Sequence, residues 1–237
     1  VKEQTICSVD LGINTDAVCT IMRPDGTILG RKFINFPSDK DRMYRVLGRI
    51  RRFQREHGSR QVQGRWAYAK RLNTELGKKI AREIVFYASE NRADVIVFEY
   101  LEMKGKLSGK KKQKLQMWRK RDIQKRCGQQ AHRKGIRISR ICAWNTSRLA
   151  FDGSGKIDRD IQDHRLCTFQ NGKRYNCDLS ASYNIGARYF IREILKPLPA
   201  TERSLLEAKV PAVKRRTSCV YADLRDLISE MELRKAA

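Results

Sequence analysis

No apolar run in this 237-residue chain reaches the roughly 18–20 residues that a membrane-spanning helix needs. No segment reads as a strongly amphipathic surface anchor. No signal peptide precedes the cysteines, and their number, seven, is odd. Reduced thiols in an intracellular, cytoplasmic setting are therefore expected, not a disulfide framework. No Cys-x-x-Cys pair occurs. Cys167 and Cys177 stand far apart with only His164 nearby. That spacing does not make a tetrahedral zinc site, so no zinc is expected. There is no internal repeat. No initiator Met precedes the first strand, which suggests a piece of a longer protein. Acids are scarce, with 26 Asp plus Glu against 51 Lys plus Arg and a formal net charge of +25.

That charge is the strongest bulk signal. A chain this basic repels itself when compact, and a polyanion is the natural compensation. DNA or RNA phosphate is the first candidate, through counterion release. Apolar residues make up 41%, enough for a core, so global disorder is not expected. The length suits one large domain or a core with a substantial insertion.

Hydrophobic patterning then gives the element order. Thr5 to Val9 is a short apolar strand ending at Asp10 and a Leu11-Gly12 turn. Ala17 to Met22 is a second strand, Pro24-Asp25-Gly26 a tight turn, and Thr27 to Phe33 the returning strand. Ser38 to Asp41 resembles a capping box for a helix running to about His57. A second helix carries Leu72, Leu76, Ile80, Ile84 and Val85 on one stripe. Val95 to Phe98 reads as a buried strand ending at Glu99. A helix over about 114–133 and a strand at 136–141 follow. The irregular 144–177 looks like an insertion containing a hairpin. Further helices are expected over 178–195 and about 220–233. The order β-β-β-α-α-β-α-β-insertion-α predicts an α/β fold with a mixed five-stranded sheet flanked by helices. The expected division is a core over 1–143 (with a helical insertion at 38–92), the insertion 144–177, and C-terminal helices over 178–237.

Asp10 and Glu99 each end an apolar strand. If the two strands are parallel neighbours, both carboxylates emerge at one end of the sheet, where sites collect in α/β folds. Asp178 starts a helix that packs back on the sheet and can join them. Three carboxylates together need a cation. Oxygen ligands without His or Cys select a hard ion, Mg²⁺ or Mn²⁺. Two such ions ~4 Å apart can clamp the attacking and leaving oxygens of a phosphodiester displacement. Taken singly, each acid has a plainer reading. Asp10 could cap its turn, Asp178 its helix, and Glu99 could pair with a lysine.

Val9-Asp10-Leu11-Gly12-Ile13-Asn14 resembles the first motif of the RuvC nuclease domain in TnpB proteins and type V CRISPR effectors. Val97-Phe98-Glu99-Tyr100-Leu101 resembles the second, and Asp178-Leu179-Ser180-Ala181-Ser182-Tyr183-Asn184-Ile185 the third. Asn145-Thr146-Ser147 resembles the family's turn after the fifth strand. The resemblance spans about 6–194. It implies an RNase H-like (RuvC) fold and an RNA-guided DNA endonuclease, with guide RNA and target DNA as partners. It also implies Asp10, Glu99 and Asp178 as catalytic Mg²⁺ ligands. Two departures stand out. The family's zinc ribbon has no Cys pairs here, so a metal-free hairpin is expected in its place, and Ser180 stands where the family often has Asn. Two other readings stay open: an RNA-guided DNA-binding protein that does not cut, and a dimeric junction resolvase working without a guide.

The segment 104–114 holds six Lys with two Gly and a Ser. Lys110, Lys111, Lys112, Lys114, Arg119, Lys120 and Arg121 surround Trp118. The basic cluster is expected to contact phosphate, with Trp118 as a helix-face core residue. Arg49, Arg51, Arg52 and Arg55 on the first helix face either a nucleic-acid duplex or solvent.

Overall fold

The structure, a computed structural model, describes residues 3–58, 62–100, 119–215 and 217–236. A five-stranded sheet has the order β3-β2-β1-β4-β5. Its strands are β1 (Ile6–Asp10), β2 (Ala17–Met22), β3 (Ile28–Ile34), β4 (Val95–Tyr100) and β5 (Arg137–Cys142). The first three are antiparallel, joined by short turns. β1–β4 and β4–β5 are parallel. This is the mixed sheet expected from the element order. β1 and β2 are buried along their whole length, and β4 up to Glu99, because both faces are covered; β3 and β5 are the exposed-edge strands.

The chain forms helices α1 (Pro37–His57), α2 (Gln63–Glu90), α3 (Lys120–His132), α4 (Cys177–Leu195), α5 (Ala200–Lys209) and α6 (Tyr221–Ala236). On one sheet face, Cys7, Val9, Cys19, Ile96 and Phe98 pack with Ile80 and Ile84 of α2 and Ile123 and Cys127 of α3. On the other, Ile6, Val18, Met22, Val95 and Val97 pack with Ile185, Tyr189 and Ile191 of α4 and with Leu224 and Leu227 of α6. The alternation along each strand assigns its residues to the two layers.

α4 lies close on β1 and β2 because its inner face is small. A Cβ at Gly186 would sit 2.8 Å from Met22 Cε and 3.2 Å from Ser8 Oγ. The Thr20 and Ser182 hydroxyls share a 2.6 Å hydrogen bond beneath the helix.

Two helix starts differ from the sequence expectation. α1 begins at Pro37, whose fixed φ suits the first helical turn, and no side-chain cap is formed, so Ser38 to Asp41 is not a working capping box. α4 is capped by Asn176, whose Oδ1 accepts from Leu179 N at 2.9 Å. Asp178 is thus not the cap. The helix α5, just past Pro199, was not expected.

Between β5 and α4 lies a three-stranded antiparallel sheet of β6 (Asp158–Arg159), β7 (Leu166–Thr168) and β8 (Arg174–Asn176). It has one strand more than the expected hairpin, since two strands alone cover too little apolar surface. Its core holds Ala150, Cys167, Phe169 and Cys177, backed by Phe151, Ile157 and Tyr175. The Cys167 thiol donates to the Tyr175 carbonyl at 3.4 Å. Phe151 packs against Tyr175, tilted, and Tyr183, edge to face, with centroids 5.0 and 5.2 Å away, which fastens this sheet to α4.

Candidate acidic site

In the β1–β4 ladder Val9 stands opposite Phe98. One step further brings Asp10 beside Glu99, on strands ~4.8 Å apart. Val9 and Phe98 face α2 and α3, so Asp10 and Glu99 face the α4 layer. Asp178, the second residue of α4, approaches from that layer. The structure therefore brings the three sequence-predicted acids into one neighbourhood. Asp10 and Glu99 are each only 7% exposed.

Electrostatics register that proximity. Burial first, then the charges of Glu99 and Asp178, push the Asp10 carboxyl well above its ordinary range; Lys120 and Arg159 pull it part of the way back. Burial also raises Asp178, against a hydrogen bond from Thr15 and the charges of Arg159 and Lys120. Burial lowers Lys120, against the attraction of all three acids. Two like charges ~5 Å apart repel by about 3 kcal/mol at an effective dielectric of ~20. The two cations offset that repulsion.

Neutral groups hold two of the acids. The Thr146 hydroxyl donates to Glu99 Oε1. Thr15 reaches Asp178 from the β1–β2 turn. That turn needs Gly12, because a Cβ there would collide with the Thr15 carbonyl; its nearest side-chain atom would be Asp178 Oδ2 at 3.6 Å. Asp16 anchors the turn's far end, accepting from Phe36 N at 2.8 Å and pairing with Lys40 at 3.0 Å.

Asn184 of the third motif is structural. Its amide donates to the carbonyls of Thr146 at 3.0 Å and Leu149 at 2.9 Å, and its Oδ1 accepts from Tyr221 N at 3.0 Å. Arg188, one turn further, donates to the carbonyls of Cys142, Trp144 and Cys219. These two buried side chains fix the segment that delivers Thr146.

Thr15, Lys120, Thr146 and Arg159 were not singled out for this site from sequence. Lys120 appeared only as part of a basic run, and Arg159 lies in the irregular insertion, held by Nη2 donating to the Ser147 carbonyl at 3.1 Å. Lys110, Lys111, Lys112, Lys114 and Trp118 lie outside the described residues. Arg119 is engaged internally, 2.8 Å from Thr74 Oγ1 and 3.5 Å from Asp122. Arg121 is exposed on α3, and Arg49, Arg51, Arg52 and Arg55 are exposed on α1. Among the described residues, no three His, Cys, Asp or Glu side chains converge closely enough to hold a metal ion as they stand. None of the described helices is long and apolar enough to cross a membrane.

No protein-family model matches the chain. No curated protein matches it. Solved structures do. Cas12f1 in a complex with sgRNA and target DNA aligns with TM-score 0.61 at 19% identity, over 76% of this chain and 49% of that one. A CRISPR-Cas12f ternary complex aligns with TM-score 0.54 at 17% identity, over 78% and 39%. Alicyclobacillus acidoterrestris C2c1 in complex with single-guide RNA aligns with TM-score 0.56 at 12% identity, over 79% and 39%. The chain spans about half the length of these chains or less. The likeness is one of fold: the chain shares the fold of part of these Cas12f1, Cas12f and C2c1 chains.

Proposed function

We propose that this chain is the DNA-cleaving domain of a larger RNA-guided effector of the TnpB or type V kind, with Asp10, Glu99 and Asp178 as ligands of Mg²⁺ or Mn²⁺. The observation that supports it best is the β1–β4 register, which sets Asp10 and Glu99 side by side facing the helix that carries Asp178.

The donor set fits a hard cation in chemistry, being three carboxylates that burden one another when ionised. As they stand, Glu99 accepts from Thr146 and Asp178 from Thr15. Bound there, two divalent ions would supply Lewis-acid stabilisation of the attacking and leaving oxygens. The chain's own part is orientation and charge. β1 and β4 hold two acids on rigid backbone, and Asn176 caps α4 so that the Asp178 carboxylate stays available. Lys120 and Arg159 stand where an incoming phosphodiester meets positive charge. The basic surface supplies phosphate attraction over a longer range.

In the intact effector with its RNA, Asp10→Asn and Glu99→Gln are expected to abolish cutting while target binding persists. Undiminished cutting by either variant overturns the proposal. The unconverged acids favour a second reading, a guided DNA-binding protein that does not cut. Calorimetric titration with Mn²⁺ separates the two: binding lost in Asp10→Asn supports the nuclease, and no binding to the unaltered chain supports the second.

A further inference from the structure

A cavity of about 790 Å³ opens between α3 and the edge strand β5. Its lining includes Lys125 from α3, Arg133 just past the end of that helix and Arg140 from β5, with no Asp or Glu. Among the described residues none of these three cations forms an ion pair. The one acid of α3, Asp122, is already taken by Arg126 at 2.9 Å and Arg119 at 3.5 Å. A concave surface with three such cations attracts anions.

The floor is open by composition. Gly128 lies in the interior of α3, where glycine costs about 1 kcal/mol relative to alanine. A Cβ there would meet only Ile138 Cγ1, at an ordinary 3.8 Å. Packing therefore does not require the glycine, and its effect is to leave that part of the groove without a side chain.

The inner end leads to the acids. Arg140 Nε donates to Gln124 Oε1 at 3.1 Å, and Gln124 Nε2 donates to the backbone carbonyl of Glu99 at 2.9 Å. The Arg140 guanidinium is thus one side chain away from the end of β4.

We propose that the α3–β5 groove holds the phosphates of single-stranded DNA, continuous with the strand presented to the acids. The assignment to DNA rests on the nuclease reading. The cavity is in the ~300–1,000 Å³ class of small-ligand sites. It takes a few nucleotides of one strand, not the girth of a duplex. No Phe, Tyr or Trp lines it, and His132 is its one ring, so binding is driven mainly by salt-dependent phosphate contacts.

The test uses the full chain in EDTA, with fluorescence anisotropy of a labelled 12-nucleotide oligothymidine over a salt series. Lys125→Glu with Arg133→Glu is expected to weaken binding about tenfold near 0.1 M salt. Loss of two phosphate contacts flattens the slope of log K against log salt by about 1.4. Gly128→Gln, which fills the floor without changing charge, should weaken binding several-fold. Both variants should melt no lower than the unaltered chain and keep its near-ultraviolet circular dichroism, Gly128→Gln melting somewhat higher. Lys209→Glu with Lys214→Glu makes the same charge change on the opposite face of the sheet and should have a smaller effect. Equal loss from both charge pairs overturns the groove, as does equal loss for single-stranded and duplex DNA. Oligouridine bound tenfold tighter than oligothymidine overturns the DNA assignment. Because binding is read without metal, a groove that binds in a protein whose Asp10→Asn effector still cuts would refute the nuclease reading alone.

Discussion

Replacing Asp10 by asparagine should stabilise the metal-free protein while removing its proposed activity. The Asp10 carboxyl is buried beside Glu99 and Asp178, which raises its pKa in the folded state above the unfolded value near 3.9. A raised carboxyl pKa means that folding favours the protonated form. The penalty is therefore absent below the unfolded pKa, grows as pH rises towards the folded pKa, and is complete above it. Asparagine imitates the protonated acid at every pH. One neighbouring like charge accounts for about 3 kcal/mol, and Lys120 and Arg159 return part of it. A net gain of about 2 kcal/mol near neutral pH is expected. For a chain of this size, that raises the melting temperature by about 4–8 °C. Scanning calorimetry in EDTA between pH 4 and pH 8 should show the two proteins converging at the acid end and separating towards pH 8. Saturating Mn²⁺ should then stabilise the unaltered protein and leave the variant unmoved. An Asp10→Asn protein that is less stable throughout this range would refute the reasoning, because it would show a carboxylate held by favourable partners.

Lys120→Met removes a cation that competes with a metal for the same acids and is itself held at a net burial cost, so Mn²⁺ affinity by calorimetry should rise while metal-free stability does not fall; unchanged affinity would contradict the electrostatic role. Asn184→Ala deletes three buried hydrogen bonds, each worth about 0.5–1.5 kcal/mol, and should speed hydrogen exchange around residues 146–152 and 220–222. Exchange confined to α4 itself would argue against its bridging role. Gly186→Leu drives a side chain into Met22 and Ser8 and should destabilise by at least about 1–3 kcal/mol in urea unfolding; a neutral result would mean that α4 can rise off the sheet.

The sheet was readable from sequence because its buried strands are unbroken apolar runs ending in an acid, and because Pro24-Asp25-Gly26 provides a turn in which Gly26 takes φ 80°. The places of Asp10 and Glu99 were readable for the same reason, since a strand end is visible locally, and that of Asp178 from the helix it opens. Their immediate partners were not. Thr146 meets Glu99 across 47 residues, and Arg119 is drawn inward to Thr74 across 45. Periodicity says which face is buried, but not which polar group from a distant element completes it. The capping of α4 shows the same limit at short range. Asn176 and Asp178 are both good caps by type, and only the backbone geometry, extended at Asn176, decides between them.

The neighbourhood of Asp10 and Glu99 is written in the backbone ladder, not in any bond between the two side chains. A sheet alternates strictly, so one residue inserted into β4 ahead of Glu99 would turn that acid from the α4 layer to the α2 layer. Such a frame-preserving insertion would alter the composition by a single residue and leave every motif intact to the eye. It would remove Glu99 from the proposed site as surely as losing the carboxylate, which makes strand length, as much as residue identity, the thing to compare between this chain and any relative.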